Sequence, residues 1–83
     1  MIIGKVQGVF FRSSLRNQAR LKDVMGWVRN TRDRGVEALF EGEKERIEEV
    51  LAWCREGPVG AEVAEVTVSW GEFSGNFDRF EIR

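Results

Sequence analysis

Hydrophobic residues recur along the chain at spacings typical first of a strand, then of a helix, then of a strand again. Residues 2–7 are rich in β-branched side chains and predict a first strand, which ends at a glycine turn. Leu15 and Ala19 lie four residues apart on one face, which favours a helix over residues 13–24. Large and polar residues alternate over residues 26–31, and this alternation predicts a second strand.

A hairpin and a second helix follow. Residues 36–41 alternate in polarity after an Asp-Arg-Gly turn at residues 33–35, so they predict a third strand paired with the second. The next helix carries an apolar stripe with the i, i+3, i+4, i+7 spacing of an amphipathic helix: Ile47, Val50, Leu51 and Cys54. A Gly-Pro pair at residues 57–58 ends it. Its position on the stripe identifies Cys54 as a small buried hydrophobe.

The last part of the chain predicts two more strands. Residues 62–70 alternate in polarity, with Val63 as one lapse, and indicate a long fourth strand. Residues 71–75 predict a loop, and residues 77–82 a short final strand. The order β-α-β-β-α-β-β predicts an α+β fold, namely a ferredoxin-like split βαβ sandwich with both helices on one face of an antiparallel sheet. At this length, residues 1–83 are expected to form a single domain.

Composition narrows the possible functions. The formal net charge of −1 argues against binding nucleic acid through bulk electrostatics, and no apolar run approaches the length that spans a membrane. A single cysteine excludes an intramolecular disulfide and favours a reducing compartment, and the apolar start is too short for a signal peptide. We therefore expect a cytoplasmic monomer. Histidine is absent, so we expect no Ser-His or Cys-His nucleophile pair, no metal and no cofactor.

One stretch, G-K-V-Q-G-V-F-F-R at residues 4–12, favours anion binding. Its glycines can adopt positive φ, which lets neighbouring backbone N–H groups point inward together. A helix begins directly afterwards, and helix N-termini attract anions. With the Arg12 guanidinium beside these donors, the stretch predicts a phosphate or carboxylate cradle. The stretch is not a phosphate-binding loop of the NTPase type, because no G-x-x-x-x-G-K-[ST] run exists.

Two further polar features allow more than one interpretation. Asparagine is a poor strand former, so Asn30 is either a strand-end residue bonded to local backbone or part of a site. Because the first and second strand modules of a split βαβ sheet can lie side by side, the glycine turn and Asn30 are expected at one end. Arg16 and Arg20 follow Arg12 at helical spacing and are interpreted as a solvated face, with Arg12 as the exception.

Residues 4–12 resemble the first signature of the acylphosphatase family, G-x-V-Q-G-V-x-F-R, and residues 26–30 match the G-W-V-x-N element of that family. The resemblance extends over essentially the whole chain. It implies hydrolysis of a small-molecule acyl phosphate to a carboxylate and phosphate. By position, it implies that the phosphoryl group is held by the Arg12 guanidinium and by the amides of Gly8, Val9, Phe10, Phe11 and Arg12. It also implies that Asn30 positions the attacking water.

The chain departs from the family pattern at two places. Lys22-Asp23-Val24 stands where many members have Leu-Gly-Leu, so Asp23 must adopt a left-handed conformation or the helix must end differently. The stretch before the first strand is also several residues shorter than usual in the family, so we expect either lower stability or a less protected sheet edge.

Two other functions share this fold. An anion-binding module without turnover would need the cradle but no water-orienting amide, so the presence of Asn30 disfavours it. An RNA-recognition module needs exposed aromatic residues on the central strands, whereas Phe10 and Phe11 lie in or beside a turn. We interpret these two phenylalanines as a plug of the core and a hydrophobic wall of the cradle.

Overall fold

The computed structural model describes residues 1–72 and 74–83, and it confirms the predicted order of elements. The strands are β1 (Ile2–Lys5), β2 (Met25–Asn30), β3 (Val36–Glu41), β4 (Glu62–Val66) and β5 (Phe80–Ile82). The helices are α1 (Phe11–Leu21) and α2 (Lys44–Glu56). The predicted loop over residues 71–75 includes Phe73, which lies outside the described residues. No helix in the described part of the chain is both long enough and apolar enough to cross a membrane.

The strands form a sheet in the order β4-β1-β3-β2-β5, and both helices cover one face. The predicted antiparallel pairing holds for every neighbouring pair except β2 and β5, which are parallel. The exception arises because the chain leaves β4 at one edge of the sheet and returns at the other edge. It enters there beside the start of β2, where the Gly26 N–H donates to the carbonyl of Arg79 at 3.0 Å.

The expectation that β1 and β2 lie side by side is wrong, because β3 lies between them. Both strands run antiparallel to β3, so they run parallel to each other and their carboxyl ends point the same way. The observed strand order therefore still agrees with the expectation about the site: the loop after β1 and the last residue of β2 lie toward the same end of the sheet.

The core lies between this sheet and the two helices. The predicted stripe of α2 is buried in one core cluster, which also contains Val28, Val36 and Phe80 of the sheet. α1 buries Phe11, Leu15 and Ala19 on one face. It begins at Phe11 rather than Ser13 and ends at Leu21 rather than Val24. Asp23 has a φ of 55°, so of the two alternatives left open where the family has glycine, the chain adopts the left-handed conformation.

The fourth strand is shorter than predicted and carries a bulge. Ile3 pairs with Glu65 and Gly4 with Val63, so Ala64 is the extra residue. This one-residue shift explains why Val63 breaks the alternation. Beyond the bulge, odd- and even-numbered residues of β4 exchange the faces of the sheet on which their side chains lie. Gly4 is required there: a Cβ atom on it would lie 2.1 Å from the Glu62 carbonyl oxygen.

The Cys54 side chain is fully buried, and burial raises the pKa of its thiol to about 12. We expect thiol reagents at pH 8 to modify the folded protein at least about 100-fold more slowly than the chain in concentrated guanidinium chloride, since only the thiolate reacts. The folded pKa lies above the unfolded 9.0, so the neutral thiol contributes fully to stability below pH 9 and this contribution is lost toward pH 12. Equal rates in the two solvents would contradict this burial.

Candidate active site

The loop between β1 and α1 has an unusual backbone conformation. Gly8 has a φ of 73°, and Phe10, the residue before the helix, has a φ of 60°. A left-handed conformation costs a non-glycine residue about 1–2 kcal/mol. The buried side chains of Val6 and Phe11 hold the loop at its two ends. Strain of this kind persists where the surrounding packing fixes the backbone, and it is frequent at functional sites.

The amides of this loop are available to a ligand. Among the described residues, no protein acceptor takes a hydrogen bond from the backbone N–H groups of residues 8–13. The first bond at the start of α1 runs from the Ser14 N–H to the Phe10 carbonyl at 3.0 Å. The first turn of α1 carries no acidic residue, so the positive end of the helix dipole is not neutralised there. The predicted cradle residues thus combine unpaired donors with a favourable potential for an anion.

The two phenylalanines of the loop have different environments. Phe11 is 1% exposed and its ring lies 5.4 Å from that of Trp53, as expected of a core plug. Phe10 is 82% exposed, because its left-handed backbone directs the side chain to solvent. Of the loop's two rings, only that of Phe11 therefore packs against the rest of the protein.

Arg12 lies in the first turn of α1, and its side chain is partly buried. Neither the side-chain hydrogen bonds nor the ion pairs found in the described residues involve its guanidinium. Arg29 and Arg46, by contrast, each pair with a carboxylate. The charge of Arg12 is therefore free to pair with an incoming anion.

Asn30 is the last residue of β2 and pairs with Val36 across the hairpin. Side chains alternate along a strand, so Asn30 lies on the same face as Val28, which is buried under the helices. Its Oδ1 atom is buried and has no hydrogen-bond partner in the described residues. A buried acceptor without a partner is rare and indicates a water or ligand donor at this position.

The lengths of α1 and β2 place Arg12 and Asn30 at the same level of the molecule. Nη2 of Arg20 donates to the Phe80 carbonyl at 3.2 Å, and Phe80 pairs with Gly26, so the end of α1 lies beside the start of β2. From Arg20 back to Arg12 the helix rises about 12 Å, and from Gly26 to Asn30 the strand rises about 13 Å. Because α1 packs on β2 and β5, both residues lie at one end of the helix-covered face.

Gln7 joins the cradle to the hairpin that follows Asn30. Its Nε2 atom donates to the carbonyls of Thr31 at 2.9 Å and Gly35 at 3.0 Å. The hairpin is itself held by the Thr31 hydroxyl, which accepts from the Gly35 N–H at 3.0 Å and donates to Asp33. The bond from Thr31 lowers the pKa of the Asp33 carboxyl. Sequence reasoning did not assign Gln7 a role, although its place in the first signature was a signal.

Arg16 was also missed, because the sequence grouped it with a solvated face. It lies one helical turn after Arg12, and residues four apart share a face. Its Nε atom is buried and, among the described residues, has no partner. The face interpreted as solvated therefore carries a partly desolvated guanidinium between Arg12 and the bonded Arg20.

These features can hold a phosphate-like anion at the start of α1 with a polar acceptor close by, and comparison with known proteins indicates the chemistry. The family model for acylphosphatase matches residues 1–82. An acylphosphatase of Pelotomaculum thermopropionicum is 48% identical over 99% of this chain and 89% of its own length. One of Pyrobaculum calidifontis is 51% identical over 95% of this chain and 73% of its own length.

The fold agrees with this similarity. The crystal structure of acylphosphatase from Bacillus subtilis superposes with a TM-score of 0.95 at 29% identity, covering 99% of this chain and 91% of that one. The matched sequence includes both the strained loop with Arg12 and the strand that ends at Asn30. The chain therefore belongs to the acylphosphatase family and is a hydrolase that acts on acyl phosphates.

Proposed function

We propose that the loop amides and Arg12 bind the phosphoryl group of a small acyl phosphate, and that Asn30 orients the water that attacks phosphorus. The observation that carries this proposal is the coincidence, at one end of the molecule, of three groups that have no partner among the described residues. These are the N–H groups of residues 8–13, the Arg12 guanidinium and Oδ1 of Asn30. Donors and a cation suit phosphoryl oxygens, and a carboxamide oxygen suits the O–H of a water.

The reaction needs little else from the protein. The leaving group is a carboxylate whose conjugate acid has a pKa of about 4, so it departs without a general acid. A loose phosphoryl-transfer transition state is stabilised mainly by positioning and by charge on the equatorial oxygens. One preorganised donor typically contributes a factor of about 10²–10³ in rate. Several amides and one guanidinium are therefore sufficient for a large acceleration.

Asn30 is suited to aim the water rather than to remove its proton. An uncharged carboxamide accepts a hydrogen bond from one O–H of the water and so directs an oxygen lone pair toward phosphorus. The water's proton then passes to a phosphoryl oxygen of the substrate as the bond between phosphorus and the carboxylate oxygen breaks. Arg16, one turn beyond Arg12, supports the potential at the site without direct contact with the reacting atoms.

The same cradle has consequences for substrate range and context. Because the donors of the cradle are proposed to bind the phosphoryl group, we infer that acyl phosphates with several different small acyl groups are substrates. Three further inferences rest on composition: the net charge of −1 disfavours nucleic acid as a partner, the lone buried Cys54 fits a reducing cytoplasm, and 83 residues suit one monomeric domain.

Hydrolysis of benzoyl phosphate in isotopically heavy-oxygen water tests the mechanism. We expect the heavy oxygen in the inorganic phosphate and none in the benzoate, because water attacks phosphorus and the acyl–oxygen bond stays intact. We also expect inorganic phosphate to inhibit competitively. The measurement is mass spectrometry of both products, with uncatalysed hydrolysis as the reference. Heavy oxygen in the benzoate would mean attack at the carbonyl carbon and would contradict the assignment of Asn30.

A further inference from the structure

The Phe10 side chain points out of the cradle loop, and little of the described chain packs against it. It is 82% exposed, whereas its neighbours Val9 and Phe11 both pack against the core. Its carbonyl oxygen accepts from the Ser14 N–H at 3.0 Å and from the Ser13 hydroxyl at 3.1 Å. These bonds fix the residue at the start of α1, so the direction of its side chain is fixed as well.

A phenylalanine in this position is unfavourable for the fold alone. The backbone of Phe10 has a φ of 60°, which disfavours any residue that carries a Cβ atom. The exposed ring also forgoes the stabilisation that burial gives to aromatic side chains. A glycine would avoid both costs. A strained residue whose side chain packs on little else is typical of a site that contacts a ligand.

The direction of the proposed water attack places the acyl group of the substrate on the open side of the cradle. In phosphoryl transfer, the attacking and leaving oxygens lie roughly in line through phosphorus. Oδ1 of Asn30 is buried on the helix-covered face, so a water bound to it attacks from the interior. The leaving carboxylate and its acyl group then extend the opposite way, toward solvent. The exposed Phe10 ring is on this side of the loop.

We propose that the Phe10 ring is the surface that contacts the acyl group, and that it makes the enzyme prefer acyl phosphates with an aromatic acyl group. This inference rests on the proposed roles of the loop amides, Arg12 and Asn30. Two aromatic rings gain from offset-stacked or edge-to-face contact in addition to the apolar area that they remove from water. The methyl group of acetyl phosphate covers little of the ring and gains little. Small acyl groups still react, because the cradle binds the phosphoryl group that all these substrates share.

The ratio of kcat/KM for benzoyl phosphate to kcat/KM for acetyl phosphate measures this preference. The ratio cancels any general effect of a substitution on the cradle or on the fraction of folded protein. We expect Phe10→Ala to lower the ratio about fivefold, and Phe10→Trp, which keeps an aromatic ring, to retain it within about twofold. Benzylphosphonate and methylphosphonate, used as competitive inhibitors, provide a measurement without turnover. Phe10→Ala should change the ratio of their inhibition constants in the same direction.

Leu21→Ala is the matched control, because Leu21 is a similarly exposed apolar residue, at 75%, at the other end of α1. Its ratio should equal that of the parent chain. The acyl contact is overturned if Phe10→Ala leaves the ratio unchanged, if Leu21→Ala lowers it equally, or if Phe10→Trp lowers it as Phe10→Ala does. Failure of the proposed function has a different signature, since Arg12→Ala would then spare the hydrolysis of both substrates. A large, equal loss for both substrates in Arg12→Ala, with an unchanged ratio in Phe10→Ala, would support the cradle and refute only the acyl contact.

Discussion

Arg12→Ala is expected to lower kcat/KM for benzoyl phosphate by about 10³-fold or more, the largest effect of any single substitution in the chain. In the proposed mechanism, the guanidinium stabilises charge that develops on the phosphoryl oxygens, and arginines in this role contribute about 10³–10⁵ in phosphoryl transfer. Because Arg12 is also proposed to hold the ground-state phosphoryl group, inorganic phosphate should inhibit the variant much more weakly. Steady-state kinetics with phosphate as a competitor measure both quantities.

Two matched variants distinguish a specific hydrogen-bonded contact of Arg12 with the phosphoryl group from a general electrostatic attraction. Arg12→Lys keeps the charge but loses the planar fork of donors, so we expect activity between those of the parent and Arg12→Ala. Arg32→Ala removes one positive charge from an exposed position in the hairpin at the same end of the molecule. Solvent screening should limit its effect to less than about threefold. A comparable loss from Arg12→Ala and Arg32→Ala would refute a specific contact at Arg12.

Asn30→Ala is expected to lower kcat by about 10²–10³-fold and to leave KM and phosphate inhibition nearly unchanged. In the proposed mechanism, the carboxamide acts on the water rather than on the phosphoryl group, so its loss should disturb the transition state and not substrate binding. This pattern distinguishes it from Arg12→Ala, which affects both. If Asn30→Ala instead raised KM and spared kcat, the residue would be a binding contact and its assignment to water would be wrong.

The stability of Asn30→Ala provides a second measurement. Oδ1 of Asn30 is buried and accepts no hydrogen bond from a protein group in the described residues, so its removal breaks no bond within the protein. We expect the free energy of unfolding to stay the same or to rise by up to about 1 kcal/mol. Asn76→Ala, at an exposed asparagine of the loop before β5, is the control and should change neither activity nor stability. A marked loss of stability in Asn30→Ala would indicate a structural role.

The sequence predicted those features that depend on neighbours along the chain. The stripe of α2 could be recognised because burial on a helix repeats every three to four residues, and the same periodicity placed Cys54 in the core. The left-handed conformation of Asp23 followed from a missing glycine. The identities of the site residues came from two short motifs, each local enough to be recognised without knowing how the chain folds.

Other features required the register between distant segments. The bulge at Ala64 interrupts the alternation of inward and outward side chains in β4. The pairing with Gly4, rather than local polarity, decides which of these side chains face inward. The sequence predicted that Arg16 is solvated, whereas the packing of α1 in the folded chain buries its Nε atom. The parallel pairing of β5 with β2 depends on the path of the chain across the sheet, which carries no periodic signal.

The sequence by itself determined the order of the elements and the buried faces of the helices, and it supplied the residues that we propose hold a phosphoryl group. Only the tertiary structure decided that Arg12 and Asn30 share one end of the molecule and that Gln7 ties their loops together. The physical reason is that the periodicity of a sequence indicates which side chains are buried within one element. Distances between elements depend instead on the lengths of the elements, the order of strands in the sheet and hydrogen bonds between residues far apart in the chain.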